Sequence, residues 1–272
     1  MTDVNVVTSC SFAGWEKYGR RFVETFDQWP KSVVLHIVSE DDLPKIAPPN
    51  HKVVYWALNR SRHWRSFDAT NKGLLWTQGT SSCPRPEGIA PRWRENSGHN
   101  FRYDAYKFSK KVFAIDLVAE HVEYGRLLWI DADVLTFAPV PEDLAVKVLP
   151  DGYALSHLHR IGYHSECGFV GYNLGDPTAI RFIKEFAKLY DSGEVFKLAE
   201  WHDSWVFDWL RNKLMIRAYP IPHRSKGHPF INSELGKYMD HLKGKRKDKG
   251  RSYGAEQVVN AKLPYWQQGL RV

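Results

Sequence analysis

LLWIDADVLTF, residues 127–137, is an apolar run broken by two acids, Asp131 and Asp133. Leu127, Leu128, Trp129 and Ile130 before them, and Val134 and Leu135 after them, read as a buried strand and its exit. Burying a carboxylate is costly unless it is paired or binds a cation. In extended chain, residues two apart point the same way, so the spacing predicts that both carboxylates face one site. Such a site suits a divalent metal held against a polyphosphate. The competing explanation is a strand-end cap or the neutralisation of a nearby arginine.

Working outward, the flanks read as alternating strands and helices. Val4–Thr8, Val33–Val38 and Val53–Ala57 are predicted strands. Trp15, Tyr18, Gly19, Phe22, Phe26 and Trp29 recur at spacings of three and four, which predicts a helix ended by Pro30. A helix is expected over 102–119, strands over 153–158 and 167–172, and helices over 178–190 and 203–211. Strand, helix, strand at this spacing gives an α/β fold with a mainly parallel central sheet flanked by helices. One domain over 1–272 accommodates all of it. Within it, residues 59–100 carry scattered Gly, Pro and Arg with little periodicity and read as a long loop or lid.

The bulk properties exclude several classes. The chain is 43% hydrophobic and 25% charged, as ordinary soluble globular proteins are. No apolar run approaches the roughly 20 residues that span a bilayer, and no signal segment opens the chain. Three cysteines, Cys10, Cys83 and Cys167, are far apart and odd in number, which argues against a disulfide scaffold or a zinc ribbon. The expectation is reduced thiols and a cytoplasmic protein without its own anchor. A net charge of +7 suits anionic partners. The 11 Trp, 13 Tyr and 14 Phe fill cores and also line sites for sugar rings.

A second constellation lies far downstream. His241-Leu242-Lys243-Gly244-Lys245-Arg246-Lys247 puts a metal-ligand type three residues before a glycine and six before a lysine. Glycine admits close backbone approach to a phosphate, and lysine offers its oxygens a point charge. Without the acids at 131 and 133 it would read as a solvated basic tail.

Taken together, the two constellations resemble the GT-A-fold glycosyltransferases, most closely their family 8-like group. That group pairs a DxD after an apolar strand with a late H-x-x-G-x-x-K-P-W. Here the late segment reads HLKGKRKDK, without the Pro-Trp. The resemblance implies a Rossmann-like GT-A domain in which Asp131, Asp133 and His241 bind Mn²⁺ or Mg²⁺. It implies that Gly244 and Lys247 meet the nucleotide diphosphate, with segment 240–272 closing over it. The opening VVTSCS is similar to the family's first strand and suggests Thr8 and Ser9 as nucleotide contacts. Arg102, Asp104 and Lys107, just before the acidic strand, are further donor-binding candidates; ordinary helix surface is the alternative.

Two more segments carry partial matches. HSECGFVGYN, residues 164–173, has Glu166 where the family carries Asn before a small residue and Gly. Glu166 is a candidate base or hydroxyl ligand, and an ion pair with Arg160 is the bland alternative. Trp201-His202-Asp203-Ser204-Trp205 matches only the first residue of the family's Asp-Gln-Asp, so Asp203 is the candidate beside the reacting carbon. An acid at a helix start is otherwise an N-cap. His157, His159, His164 and Cys167 are zinc-ligand types whose spacing fits no compact zinc frame.

The expected activity is therefore transfer of a sugar from a nucleotide-diphosphate donor to a glycan or other hydroxyl acceptor. The resemblance implies retention of configuration, and the departures at Glu166 and Ser204 leave inversion open, with Glu166 or Asp203 as general base. The alternatives are a non-catalytic sugar- or nucleotide-binding module on the same fold, and a basic nucleic-acid-binding protein. The latter lacks any accompanying helix-turn-helix, zinc-finger or RNA-recognition motif.

Overall fold

The computed structural model describes residues 3–80, 98–122, 124–225, 227–256 and 265. In chain order its strands are β1 (Val4–Cys10), β2 (Val34–Ser39), β3 (Val53–Ala57), β4 (Arg126–Ile130), β5 (Val134–Thr136), β6 (Leu155–Leu158), β7 (Glu166–Asn173), β8 (Tyr219–Pro220) and β9 (Met239–His241). The α-helices are α1 (Phe12–Gly14), α2 (Arg20–Thr25), α3 (Arg62–Asn71), α4 (Ala105–Ala119), α5 (Leu144–Val148), α6 (Pro177–Asp191), α7 (Asp203–Lys213) and α8 (Arg246–Lys249).

Seven strands form one sheet in the order β3-β2-β1-β4-β7-β6-β8. β1, β2, β3 and β4 are parallel, β7 runs antiparallel to both β4 and β6, and β8 is parallel to β6. The expected α/β class with a mainly parallel sheet flanked by helices is what forms. The apolar run of β4 is buried on both faces, which is why it lacks polar alternation. Leu127 and Trp129 pack with α3, α4, α6 and α7 on one side. Leu128 and Ile130 pack with Trp15, Phe22, Phe26 and the α5 residues Leu144 and Val148 on the other.

Two local readings change. The predicted helix over 15–29 is a composite: α1, a π-helical turn at Trp15–Gly19, α2, and a 3₁₀ turn at Phe26–Gln28. Its bulky residues still point inward, with Trp15, Phe22 and Phe26 buried. The expected loop over 59–100 contains α3, capped by the Ser61 hydroxyl, which accepts from Trp64 N at 3.2 Å. Phe67 anchors that helix in the core at 1% exposure. Its composition is so Arg- and Ser-rich that one buried aromatic was too weak a periodic signal. Residues 81–97, and with them Cys83, lie outside the described residues; Cys10 and Cys167 are free and buried. Among the described residues no helix is long and apolar enough to cross a membrane.

Candidate metal and diphosphate site

The sheet supplies the site's position. β4 stops at Ile130, at the end of the parallel strands where open α/β sheets expose their ligand crevices. Asp131-Ala132-Asp133 is not extended, so strand alternation is not what aims its carboxylates. Val134 N donates to Asp131 O at 3.0 Å and closes a tight turn between β4 and β5. Asp131 N is held by Gly168 O of β7 at 3.0 Å.

β5 then recruits the distant histidine. It pairs antiparallel with β9, with Val134 opposite His241, and Leu242 N donates to Asp133 O at 2.9 Å. This register brings His241 Nε2 to 3.1 Å from Asp133 Oδ1 and 3.6 Å from Asp131 Oδ2. The imidazole lies on the bare backbone of Gly168, where an added Cβ would stand 2.4 Å from His241 Cε1. The small Cys167-Gly168 pair therefore admits the close approach of this ring.

Asp131, Asp133 and His241 each offer one ligand atom, all within 4.8 Å of one another. Asp133 Oδ1 and His241 Nε2 are buried and have no hydrogen-bond partner, despite facing each other. A buried carboxylate oxygen and a ring nitrogen that face each other without a well-formed hydrogen bond are a pair that a cation between them would satisfy. Two carboxylates and one imidazole suit Mn²⁺, and Mg²⁺ less well. Burial pushes the Asp133 carboxyl up, but the charges of His241 and Lys247 outweigh it and hold the group below the usual carboxylate range. Burial pulls His241 down, and the acids at 133, 166 and 131 more than reverse that.

Lysines complete the electrostatics. Lys247 Nζ is 2.9 Å from Asp133 Oδ2 and lies 4.4 Å over the Tyr18 ring, which the π-helical turn presents. Lys243 Nζ reaches both oxygens of Glu166, at 3.1 and 3.3 Å, and Arg160 stands 3.7 Å from the same carboxylate. Burial would raise Glu166, yet Lys243, His241 and Arg160 pull it to about 2. Lys111 of α4 reaches Asp131 Oδ1 at 3.0 Å and Asp203 Oδ2 at 2.7 Å, and also donates to the Cys167 carbonyl. Burial lowers that ammonium's pKa, and the two carboxylates raise it further than burial lowers it. The sequence reading did not single out Lys111; its signal was standing four residues before Ile115, which is buried.

The other candidates divide. Asp203 opens α7, but its carboxylate turns to Lys111. Thr8 is buried on β1 with an unpartnered Oγ1, and Ser9 follows it half-buried. Gly244 takes φ +63° in the turn after β9, with open space where a Cβ would be, and its carbonyl accepts from Lys247 N at 3.1 Å. Arg102, Asp104 and Lys107 contact neither aspartate. Arg102 stands 3.5 Å from Glu200, Asp104 caps α4 through Lys107 N at 3.0 Å, and Lys107 is exposed over the Phe108 ring. The four zinc-type residues around 157–167 are not gathered as a ligand set among the described residues. His157 Nδ1 instead meets Ser165 Oγ at 2.7 Å. Trp201 is core, fully buried, while Trp205 is half-buried.

No known sequence family and no curated protein matches this chain. Solved structures do show likeness. The glycosyltransferase GlyE of Streptococcus pneumoniae TIGR4 aligns at 9% identity and TM-score 0.45, over 81% of this chain and 45% of its own. The bifunctional glycosyltransferase WbbM aligns at 14% identity and TM-score 0.43, over 99% of this chain and 51% of its own. A glycosyltransferase involved in glycosylation of the major capsid of PBCV-1 aligns at 10% identity and TM-score 0.49, over 90% of this chain and 98% of its own. This chain thus spans about half the length of GlyE and of WbbM. Likeness at this level says nothing of chemistry, which rests on the side chains above.

Proposed function

We propose that this chain is a metal-dependent glycosyltransferase that moves a sugar from a nucleotide-diphosphate donor to a hydroxyl acceptor. The observation that carries the proposal is the convergence of Asp131, Asp133 and His241 at the end of the parallel strands, with the buried Asp133 Oδ1 and His241 Nε2 3.1 Å apart and neither in a well-formed hydrogen bond. With Asp131 they form a three-residue grip suited to Mn²⁺. Asp131, Asp133 and His241 would hold a divalent ion, which when bound would supply positive charge to offset that of the leaving nucleoside diphosphate.

This chain's own residues would do the rest. Thr8 and Ser9, in the carboxyl half of β1, would meet the nucleoside. The turn at Gly244 gives a phosphate open access to backbone, and Lys247 can exchange Asp133 for a phosphate oxygen. Lys111 binds Asp131 and Asp203 at once, so Asp203 would act beside the sugar as a fixed anion rather than a mobile one. Both oxygens of Glu166 are engaged by Lys243, and one oxygen of Asp203 by Lys111. Carboxylates so occupied are poor acceptors for a hydroxyl proton. That favours the leaving phosphate as the proton acceptor, and hence retention of configuration, as in the family 8-like group.

The test is a thermal-shift and donor-hydrolysis screen of nucleotide sugars with Mn²⁺. A native-state ligand raises the melting point by mass action. One nucleotide-sugar class should shift it only with the metal present, and be consumed when acceptor is supplied. Metal-dependent binding without donor cleavage under any acceptor condition would overturn transfer in favour of a binding module. The anomeric configuration of the product, read by NMR, decides retention.

A further inference from the structure

A second group of metal-ligating side chains lies apart from the aspartate turn. His164, in the loop before β7, and Glu200 and His202, in the segment entering α7, each offer one ligand atom, all within 4.8 Å of one another. His202 Nε2 is 2.9 Å from Glu200 Oε2, and His164 Nε2 is 3.6 Å from the same oxygen. Glu200 and His202 are buried at 4% and 5% exposure, while the His164 side chain is 38% exposed. The group therefore has a closed floor and an opening to solvent on its His164 side.

The donor chemistry differs from that of the first site. Two imidazoles with one carboxylate are a set that borderline-soft Zn²⁺ favours, whereas Mg²⁺ and Ca²⁺ prefer all-oxygen shells. The surroundings also fit a ligand shell. His202 Nδ1 stands 3.9 Å from Asp203 Oδ1, beyond direct hydrogen-bond reach, so the carboxylate adds negative charge beside the ring. Arg102 Nη1 stands 3.5 Å from Glu200 Oε1, leaving Oε2 to the histidines. His202 occupies the N-cap position of α7 yet gives its side chain to no capping bond. The side chain turns to Glu200 instead.

We propose that His164, Glu200 and His202 form a second cation site, selective for zinc-class ions, with its remaining coordination position open to water. A bound ion would tie the loop before β7 to the segment before α7. It would also fix Asp203 between His202 and Lys111, joining the two centres through one chain of charged groups.

The probe is zinc alone, titrated calorimetrically into metal-free protein, with metal content checked after dialysis. Asp133→Asn removes a ligand of the first site, and this variant should still bind one equivalent of Zn²⁺. Adding His164→Ala should weaken that binding by at least about tenfold, the lower range seen even for outer-shell losses. An Asp133→Asn protein that binds no zinc, or an unchanged affinity on adding His164→Ala, overturns the site and leaves His202–Glu200 as an ion pair only. Should Asp133→Asn fail to fold, Co²⁺ titration of the otherwise native chain replaces it: His164→Ala must remove the part of the visible absorption and the cobalt equivalent that belong to this site, and a spectrum and stoichiometry unchanged from the native chain overturn it. Mn²⁺ binding by His164→Ala protein is measured alongside, so failure here and failure at the aspartate turn give different results.

Discussion

Replacing Gly168 by alanine tests whether the first site depends on how closely His241 approaches the β7 backbone. The new Cβ would stand 2.4 Å from His241 Cε1 and 2.6 Å from Nδ1, whereas ordinary contact begins at 3.4 Å. The ring must withdraw by about 1 Å, the difference between 3.4 and 2.4. Metal–ligand distances tolerate only about 0.2 Å. The imidazole is buried between Gly168 and Phe230, whose ring centroid is 5.4 Å away, so it has no free direction of retreat. Overpacking of this kind costs about 1–3 kcal/mol of stability, not enough by itself to unfold an ordinary domain. The expected result is a folded protein with a slightly lower melting point and Mn²⁺ affinity reduced by at least about tenfold. Calorimetric Mn²⁺ titration beside a thermal melt reads both. Native Mn²⁺ affinity in a folded Gly168→Ala protein would refute the placement of His241 in the grip.

Three other perturbations give separate readouts. Asp133→Ala should abolish Mn²⁺-supported turnover while the far-UV spectrum stays native, because it removes a ligand rather than core volume; full activity with Mn²⁺ would sink the metal assignment. Lys111→Met leaves Asp131 and Asp203 without their shared ammonium and should cost about 3–5 kcal/mol in urea denaturation. Lys111→Met/Asp203→Asn should recover part of that loss, and no recovery would mean the lysine acts through packing alone. Acid should destabilise the fold through its neutral histidines. Burial pulls His36 and His157 down from 6.5 to about 4. Trp56 Nε1 donates to His36 Nδ1 at 3.0 Å, which requires that nitrogen unprotonated. The unfolded chain takes up these protons near pH 6.5 and the folded chain only near 4, so the unfolded state binds more protons between. Their contribution is complete above 6.5 and is lost as pH falls through 4, roughly 3 kcal/mol per imidazole at 1.36 kcal/mol per unit. Urea midpoints from pH 7 to 4 check the sign, and a midpoint that stays level or rises contradicts it.

The large elements were legible because burial leaves local marks. β4 is apolar from Leu127 to Ile130 because both its faces are covered there, and α6 shows its inward residues at helical spacing. α3 was illegible because a single buried phenylalanine in an Arg-rich segment makes no stripe. Asp131 and Asp133 stood out because two acids beside an apolar run need a partner. The prediction that they converge by strand alternation was wrong in cause, since a turn aims them. Asp104 looked like a donor contact and is a helix cap, a role that depends only on where α4 begins.

By itself, then, the sequence determined the α/β class, the central strand and the residue types able to grip a cation. All of these follow from local periodicity and from the cost of burying charge. Only the tertiary structure decided which distant groups meet. The β5–β9 register carries His241 to Asp133, the bare backbone of Gly168 makes room for its ring, and the packing of α4 drives Lys111 between Asp131 and Asp203. Pairings across a hundred residues are set by sheet register and helix packing, and neither leaves a mark at fixed spacing along the chain.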